Sequence, residues 1–182
     1  MRLEEQSAKI SRGNAVHHPH HGIGRVQSVG KRNFAGSNGA NFAQLYFKRE
    51  DLTLILPMRD CAETVRNPIT ADQAKQILDH IENWDGKASK QWKARAAAHQ
   101  EAMERGDPFE YAEIFKGLSR LEAEGSLRHT DRTHLNRAID FLADELSFAL
   151  SKSPDRVREL ITRAATEPQA EPEAESEVES AA

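Results

Sequence analysis

An α+β fold in two small units, a short antiparallel β domain followed by an all-helical domain, is what the sequence predicts. Three observations carry it. Short apolar runs punctuated by turn residues fill Asn14 to Pro57. From Thr70 to about residue 165 the apolar residues recur at helical spacing instead. The 182-residue chain is only 38% hydrophobic and 6% aromatic, lean for one large core but adequate for two modest ones.

The β texture resolves into four strands: Ala15-Val16, Ile23 to Val29, Phe42 to Phe47 and Leu52 to Leu56. The first connection contains Pro19 and Gly22. The second is long and holds Gly36, Ser37, Asn38 and Gly39, residues that tolerate positive φ. The third is the short charged hairpin loop Lys48-Arg49-Glu50-Asp51. Strands that follow one another without helices form a small, strongly bent antiparallel sheet or partial barrel. Met58 to Arg66 is ambiguous and readable as a fifth short strand.

Five helices are expected next. Thr70 caps the first, with Ala74, Ile77, Leu78 and Ile81 on one stripe, and Asp85-Gly86 breaks it. Ser89 is placed to cap the second, which runs to about Arg105 and stops at Gly106. Asp107-Pro108 opens the third, a capping side chain followed by proline in the first turn. Ile114, Phe115, Leu118 and Leu121 form its inner face, and Gly125 ends it. Thr130 or Asp131 opens the fourth, with Leu135, Ile139, Leu142, Leu146 and Leu150 at helical spacing. Ser153-Pro154 opens the last, with Val157, Leu160 and Ile161 inside. The expected organisation is a flexible lead over 1–11, a β domain over 12–66, a helical domain over 69–165 and an acidic tail over 166–182. The tail's Glu/Pro/Ala composition cannot bury enough apolar surface to fold alone, so disorder is expected there.

Net charge is −4, but unevenly spread. The tail holds six glutamates (Glu167, Glu171, Glu173, Glu175, Glu177, Glu179) and no base; without it, 25 bases face 23 acids, a net of +2. A mildly basic body permits nucleic-acid contact without arguing for it. The tail fits a solubilising spacer or a cover for basic surface. No run of about 18 apolar residues exists, so no membrane span is expected. The N-terminus carries acids early and lacks an apolar stretch, unlike a signal peptide. The single cysteine, Cys61, excludes an internal disulfide and a multi-cysteine zinc site. A cytoplasmic location is expected.

Two segments invite a functional reading. His17-His18-Pro19-His20-His21 puts four histidines in five residues, which imidazole chemistry would suit to zinc or copper. Adjacent strand residues point to opposite faces, so at most two converge. The plainer reading is a strand end and turn with one or two imidazoles bonded to backbone, and no metal or cofactor is expected. Enzyme chemistry has little support: there is no Gly-rich phosphate loop and no nucleophile elbow, and Cys61 reads as a half-buried structural thiol. Asp131 to His134 is helix-start chemistry with His134 on a solvated face.

The second segment is Lys87 to Arg95. Between Gly86 and Gln100 there are four bases and no acid. On a helix starting near Ser89, Trp92 sits in the first turn, with Arg95 and His99 one and two turns on. An indole beside Lys90, Lys93 and Arg95 suits a wedge against DNA whose phosphates meet the cations. From composition alone, packing of Trp92 into the helical core is the plainer reading. Trp84 competes for either role.

Three stretches in this order resemble the CarD/CdnL proteins. His18-Pro19-His20-His21-Gly22-Ile23-Gly24 is similar to that family's Tyr-Pro-His-His-Gly turn, with His18 in place of tyrosine. Asp51 to Pro57 resembles its Asp-Leu-Thr strand ending in proline. Trp92 through Gly106-Asp107 has the spacing of its Trp…Gly-Asp helix, and Arg137-Ala138 to Glu145-Leu146 resembles its last long helix. The resemblance spans roughly residues 13–165. It implies a Tudor-like β domain, like that of transcription-repair coupling factors, that binds the RNA polymerase β subunit. It also implies a helical domain at the upstream edge of the melted promoter, whose tryptophan wedges into the minor groove and slows bubble collapse. Trp92 takes that position, with Lys90, Lys93 and Arg95 as DNA-contacting cations. Arg32, Thr53, Leu54 and Ile55 take the polymerase-contacting positions. The family often has arginine where this chain has Ile55, and a base where it has Ala94. A monomer without enzymatic activity is implied. An adaptor whose β domain serves a different partner is the alternative that Ile55 raises.

Overall fold

The structure, a computed structural model, describes residues 8–34 and 37–166. The acidic tail from Glu167 onward and the first seven residues of the predicted lead lie outside the described residues. Four strands, β1 (Ala15–His18), β2 (Gly22–Phe34), β3 (Ser37–Phe47) and β4 (Leu52–Pro57), form one antiparallel sheet in the order β1-β2-β3-β4. The strands β2 and β3 run further than their apolar runs suggest and take up most of the expected long connection. The register shifts between Val26 and Ser28, where Gln27 is the extra residue of a bulge. A bulge bends the strand and sharpens its twist, so Val26 faces inward beneath the curled hairpin. Ala43, Leu45 and Phe47 alternate inward on β3, and Leu52, Leu54 and Leu56 do so on β4, closing a small core with Val16, Val26, Cys61 and Val65.

The ambiguous segment after Pro57 is not a strand. Met58–Thr64 is a short helix, α1. Met58, Cys61 and Val65 recur at three and four residues, and this spacing sets all three against the sheet core. Cys61 is buried, its thiol bonded to the Pro57 carbonyl at 3.4 Å. Of the expected fifth strand, one bridge survives: Arg66 and His17 exchange backbone hydrogen bonds at 2.8 and 3.0 Å.

The helices α2 (Ala71–Asn83), α3 (Trp92–Arg105), α4 (Pro108–Ala123), α5 (His129–Leu150) and α6 (Pro154–Ala165) share a second core. The predicted caps at Thr70, Asp107 and Ser153 are all made: each side chain accepts from a backbone N–H in its helix's first turn. Two starts differ from expectation. Helix α3 begins at Trp92, not at Ser89. Helix α5 begins at His129, and Asp131 reaches back to accept the Arg128 backbone N–H at 3.2 Å. His134, expected on a solvated face, is buried at 7% exposure. It lies three residues from Asp131 and four from Ala138, on the stripe that α5 turns to the bundle.

The two cores are riveted together at α5. Glu145, fully buried there, accepts both ends of the Arg66 guanidinium and the Ile69 N–H at 3.2 Å. The same guanidinium donates to the Gly106 carbonyl at 3.0 and 2.7 Å. The edge of His17 stands 3.7 Å from the other face of the carboxylate. Burial opposes charge on Glu145, yet His17, the Arg66 guanidinium and the Ile69 N–H together hold its carboxyl below the usual range.

The histidine turn completes this joint. Gly22 has φ +72°, and a Cβ there would meet the Asp144 carboxylate at 3.1 Å; Gly106 has φ +73° and would press on Pro19 at 3.1 Å. The four imidazoles do not converge on one point. His17 is buried between Tyr111 and Phe141, while His18 accepts the His20 N–H at 3.0 Å. His20 bonds Arg137 at 3.0 Å and His21 bonds Glu50 at 2.6 Å. The expected backbone-bonded turn is present, and its outer histidines bond Arg137 and Glu50.

Glu145→Ala leaves the half-buried Arg66 guanidinium without its carboxylate and is expected to cost about 3 kcal/mol, read as a lowered urea midpoint. The imidazoles give a second expectation. Burial pushes His17 down to about 3, and burial followed by its histidine neighbours pushes His18 down to about 4. Both protonate near 6.5 once unfolded, so the unfolded chain binds more protons below that pH. Stability therefore falls as pH drops from 6.5 toward the folded values, by about 2 kcal/mol per imidazole at pH 5. Denaturation curves at pH 7 and pH 5 check this; equal midpoints would contradict it.

Candidate nucleic-acid interface at the start of helix α3

The residues ahead of α3, from Asp85 to Gln91, form no regular structure, and the first turn of the helix begins with Trp92. No side chain caps that turn and no acid lies in it, so its first N–H groups and the positive end of the helix dipole face outward. Trp92 is 40% exposed, which excludes the core-packing reading. Two cations lie over its ring: Lys93 Nζ is 5.7 Å from the centroid and the Arg128 guanidinium carbon 5.5 Å. Lys87 and Lys90 are exposed in the approach.

Trp84, the competitor, is packed away. Its ring lies over Gly86, where a Cβ would strike it, and packs beside Gly117, and the Arg120 guanidinium covers it at 5.8 Å. Arg120 also donates to the Gly86 carbonyl at 2.9 Å, which pins the loop that leads toward Trp92.

Arg95 does not join the exposed cations. It is 4% exposed and clasps Asp131 of α5 through two hydrogen bonds at 2.9 and 2.6 Å. Its third nitrogen donates to the Ser89 carbonyl. One guanidinium thus ties the loop, the first turn of α3 and the start of α5 into a fixed corner. The Arg95 hydrogen bonds hold the Asp131 carboxyl below its ordinary range against the opposing effect of burial, aided by the Arg128 N–H. Asp131 therefore acts on both segments that flank the indole: it holds Arg95, three residues along α3 from Trp92, and accepts the backbone N–H of Arg128, whose guanidinium lies over the ring. Behind the pair, His99 and His134 stack edge-on with centroids 5.8 Å apart. Burial first, and His134 second, push His99 down to about 4.

Sequence reasoning found Trp92, Lys90 and Lys93 but missed Arg128 and Asp131, which lie 36 residues from Trp92 and Arg95. The available signal was the base immediately ahead of the α5 start, in the turn that follows Gly125.

The positions expected to face a polymerase lie on the sheet. Thr53 and Ile55 share the outer face of the edge strand β4, opposite Tyr46 and Gln44. Leu54 points the other way and packs on the β core. Arg32 lies opposite Ala40 in the β2–β3 hairpin, and its side chain is outside the described atoms.

Fold and surface together define a class: a two-core α+β protein that presents one fixed indole among cations. Residues 76–162 match the family described as CarD, C-terminal domain, a stretch that takes in Trp92, Arg95, Arg128 and Asp131. The chain is also similar, at 22% identity over 135 residues, to "Putative transcription factor YdeB" of Bacillus subtilis (strain 168), across 74% of this chain and 88% of that one. The chain resembles the CarD-like proteins, and the match to their C-terminal domain covers the bundle from within α2 into α6.

Asp131→Ala strands the Arg95 charge and is expected to lower stability by about 3 kcal/mol. The double variant with Arg95→Ala recovers part of that loss, as a double-mutant cycle by chemical denaturation will read. Additive losses would mean that the two side chains act independently.

Proposed function

We propose that this chain is a transcription regulator that holds RNA polymerase through its β domain and stabilises the open promoter complex by wedging Trp92 against the upstream edge of the melted DNA. The observation that carries the reading is the placement of Trp92: exposed, flanked by Lys93 and Arg128, and set on a helix turn that the Arg95–Asp131 clasp ties to the start of α5. An aromatic wedge costs a few kcal/mol of base unstacking, least where the duplex is already open. Preference for a fork junction over any base sequence follows. Lys87, Lys90, Lys93 and Arg128 meet phosphates, which position the protein without reading sequence.

Tethering makes weak DNA affinity sufficient. A domain that grips polymerase delivers the indole to nearby DNA at high effective concentration. The β subunit is the partner proposed for the β domain, with Thr53 and Ile55 on the outer face of β4 and Arg32 further along the hairpin as its contacts. Ile55 supplies apolar contact in place of an ion pair. The protein acts as a monomer in the cytoplasm, without catalysis of its own; among the described residues no helix is long and apolar enough to cross a membrane.

Trp92→Ala is expected to shorten open-complex lifetime about five- to tenfold, the lower part of the ~1–3 kcal/mol that an aromatic gains by stacking on a base. Competitor-challenged lifetimes on a linear promoter measure this, and an unchanged lifetime would refute the wedge. Binding of the chain to core polymerase, weakened by Arg32→Glu, tests the β domain. Its absence at high protein concentration would hand that domain to a different partner.

A further inference from the structure

We propose that the basic surface around Trp92 is occupied by this chain's own acidic tail, residues 167–182, which competes there with nucleic acid. The inference rests on the reading of that surface as one that meets phosphates, and goes beyond it by naming a second occupant.

Charge is the first argument. Lys87, Lys90, Lys93 and Arg128 are exposed in the segments that flank the indole, and the buried Arg95 and Asp131 neutralise each other. No acid lies between Gly86 and Gln100, and α3 has none in its first turn. The tail supplies six glutamates and no base, spaced mostly every second residue like the charges of an extended polyanion.

Reach is the second. The described chain ends at Thr166, just past α6. Arg158 on α6 pairs with Asp140 on α5 at 2.6 Å. Helical rise puts Arg128 about 18 Å from Asp140 and Thr166 about 12 Å from Arg158. With the two side chains between them, Thr166 and Arg128 are at most about 45 Å apart whatever the crossing angle. Sixteen residues span up to about 55 Å when extended. The short Ser151–Ser153 turn sends α6 back along α5, toward the end that carries Arg128, so the actual gap is smaller.

Tethering is the third. A segment joined to the surface it fits acts at roughly millimolar effective concentration, enough for weak ionic contacts to compete. Such contacts are screened over about 10 Å at 0.1 M salt, so the tail gives way as ionic strength rises. Nucleic acid that displaces the tail releases fewer bound counterions than it would from a bare patch. The salt dependence of binding is therefore shallower with the acidic tail than without its charge.

The test uses the full-length chain beside a full-length variant with all six tail glutamates changed to glutamine. The two indole N–H resonances are followed at low salt, assigned with a Trp92→Phe variant. The expected result is that the Trp92 resonance differs between the two proteins and converges in 0.5 M NaCl, while Trp84 stays put. Identical Trp92 resonances at low salt would overturn the proposal, with no DNA involved. Fork-junction DNA is then titrated into both. Binding two- to tenfold tighter for the glutamine variant in 50 mM salt, with a steeper salt slope, completes the case; equal affinities and slopes would refute competition. A shifted Trp92 resonance with no DNA binding by either protein would leave the tail seated and sink the nucleic-acid reading alone.

Discussion

The Glu145 carboxylate is the point on which both halves of this molecule turn. It accepts from Arg66 and Ile69, at the junction of the β domain with the bundle, and it stands against His17 of the first strand. Arg66 in turn takes the carbonyl at the end of α3. A buried ion pair is a poor source of net stability, because desolvating two charges offsets most of their attraction. Its value here is geometric. Few arrangements satisfy a buried carboxylate and guanidinium at once, so the pair selects a single docking of sheet on bundle. The surrounding contacts then follow: Arg49 with Asp144, Pro19 under Gly106, Arg137 with His20.

The second fixed corner repeats the device on a smaller scale. Arg95 and Asp131 are almost fully covered, and their clasp holds an exposed indole in place. A surface tryptophan on an unrestrained loop would lose side-chain and backbone freedom on binding. Here that cost is met in folding, through the Arg95–Asp131 clasp that fixes the turn and the Arg128 guanidinium over the ring.

What could be read from the sequence was what depends on neighbours in the chain. The caps at Thr70, Asp107 and Ser153 and the stops at Gly106 and Gly125 are local statements, and they hold. What escaped depends on residues far apart. Arg95 sits among lysines in sequence and reads as one more surface cation; only Asp131, 36 residues on, shows that it is structural. His134 looked solvated because it belongs to a polar helix start, although its spacing to Leu135 and Ala138 already put it on the buried stripe. Met58 to Arg66 was ambiguous because its few apolar residues suit a short helix as well as a short strand. The histidine turn was rightly read as structural, but nothing near it in sequence announces the helix it abuts.

Both corners are built on one uninterrupted helix. Asp131 and Glu145 lie 14 residues apart on α5, about 21 Å at helical rise. That helix acts as a ruler between the sheet and the indole, with both length and phase. One residue inserted between Ala138 and Asp144 would lengthen it by only about 1.5 Å, yet turn one end by about 100° against the other. Seven residues would add about 10 Å and nearly restore the phase. The spacing between the two surfaces can therefore be altered only in steps close to whole turns, whereas each surface remains free to change its side chains.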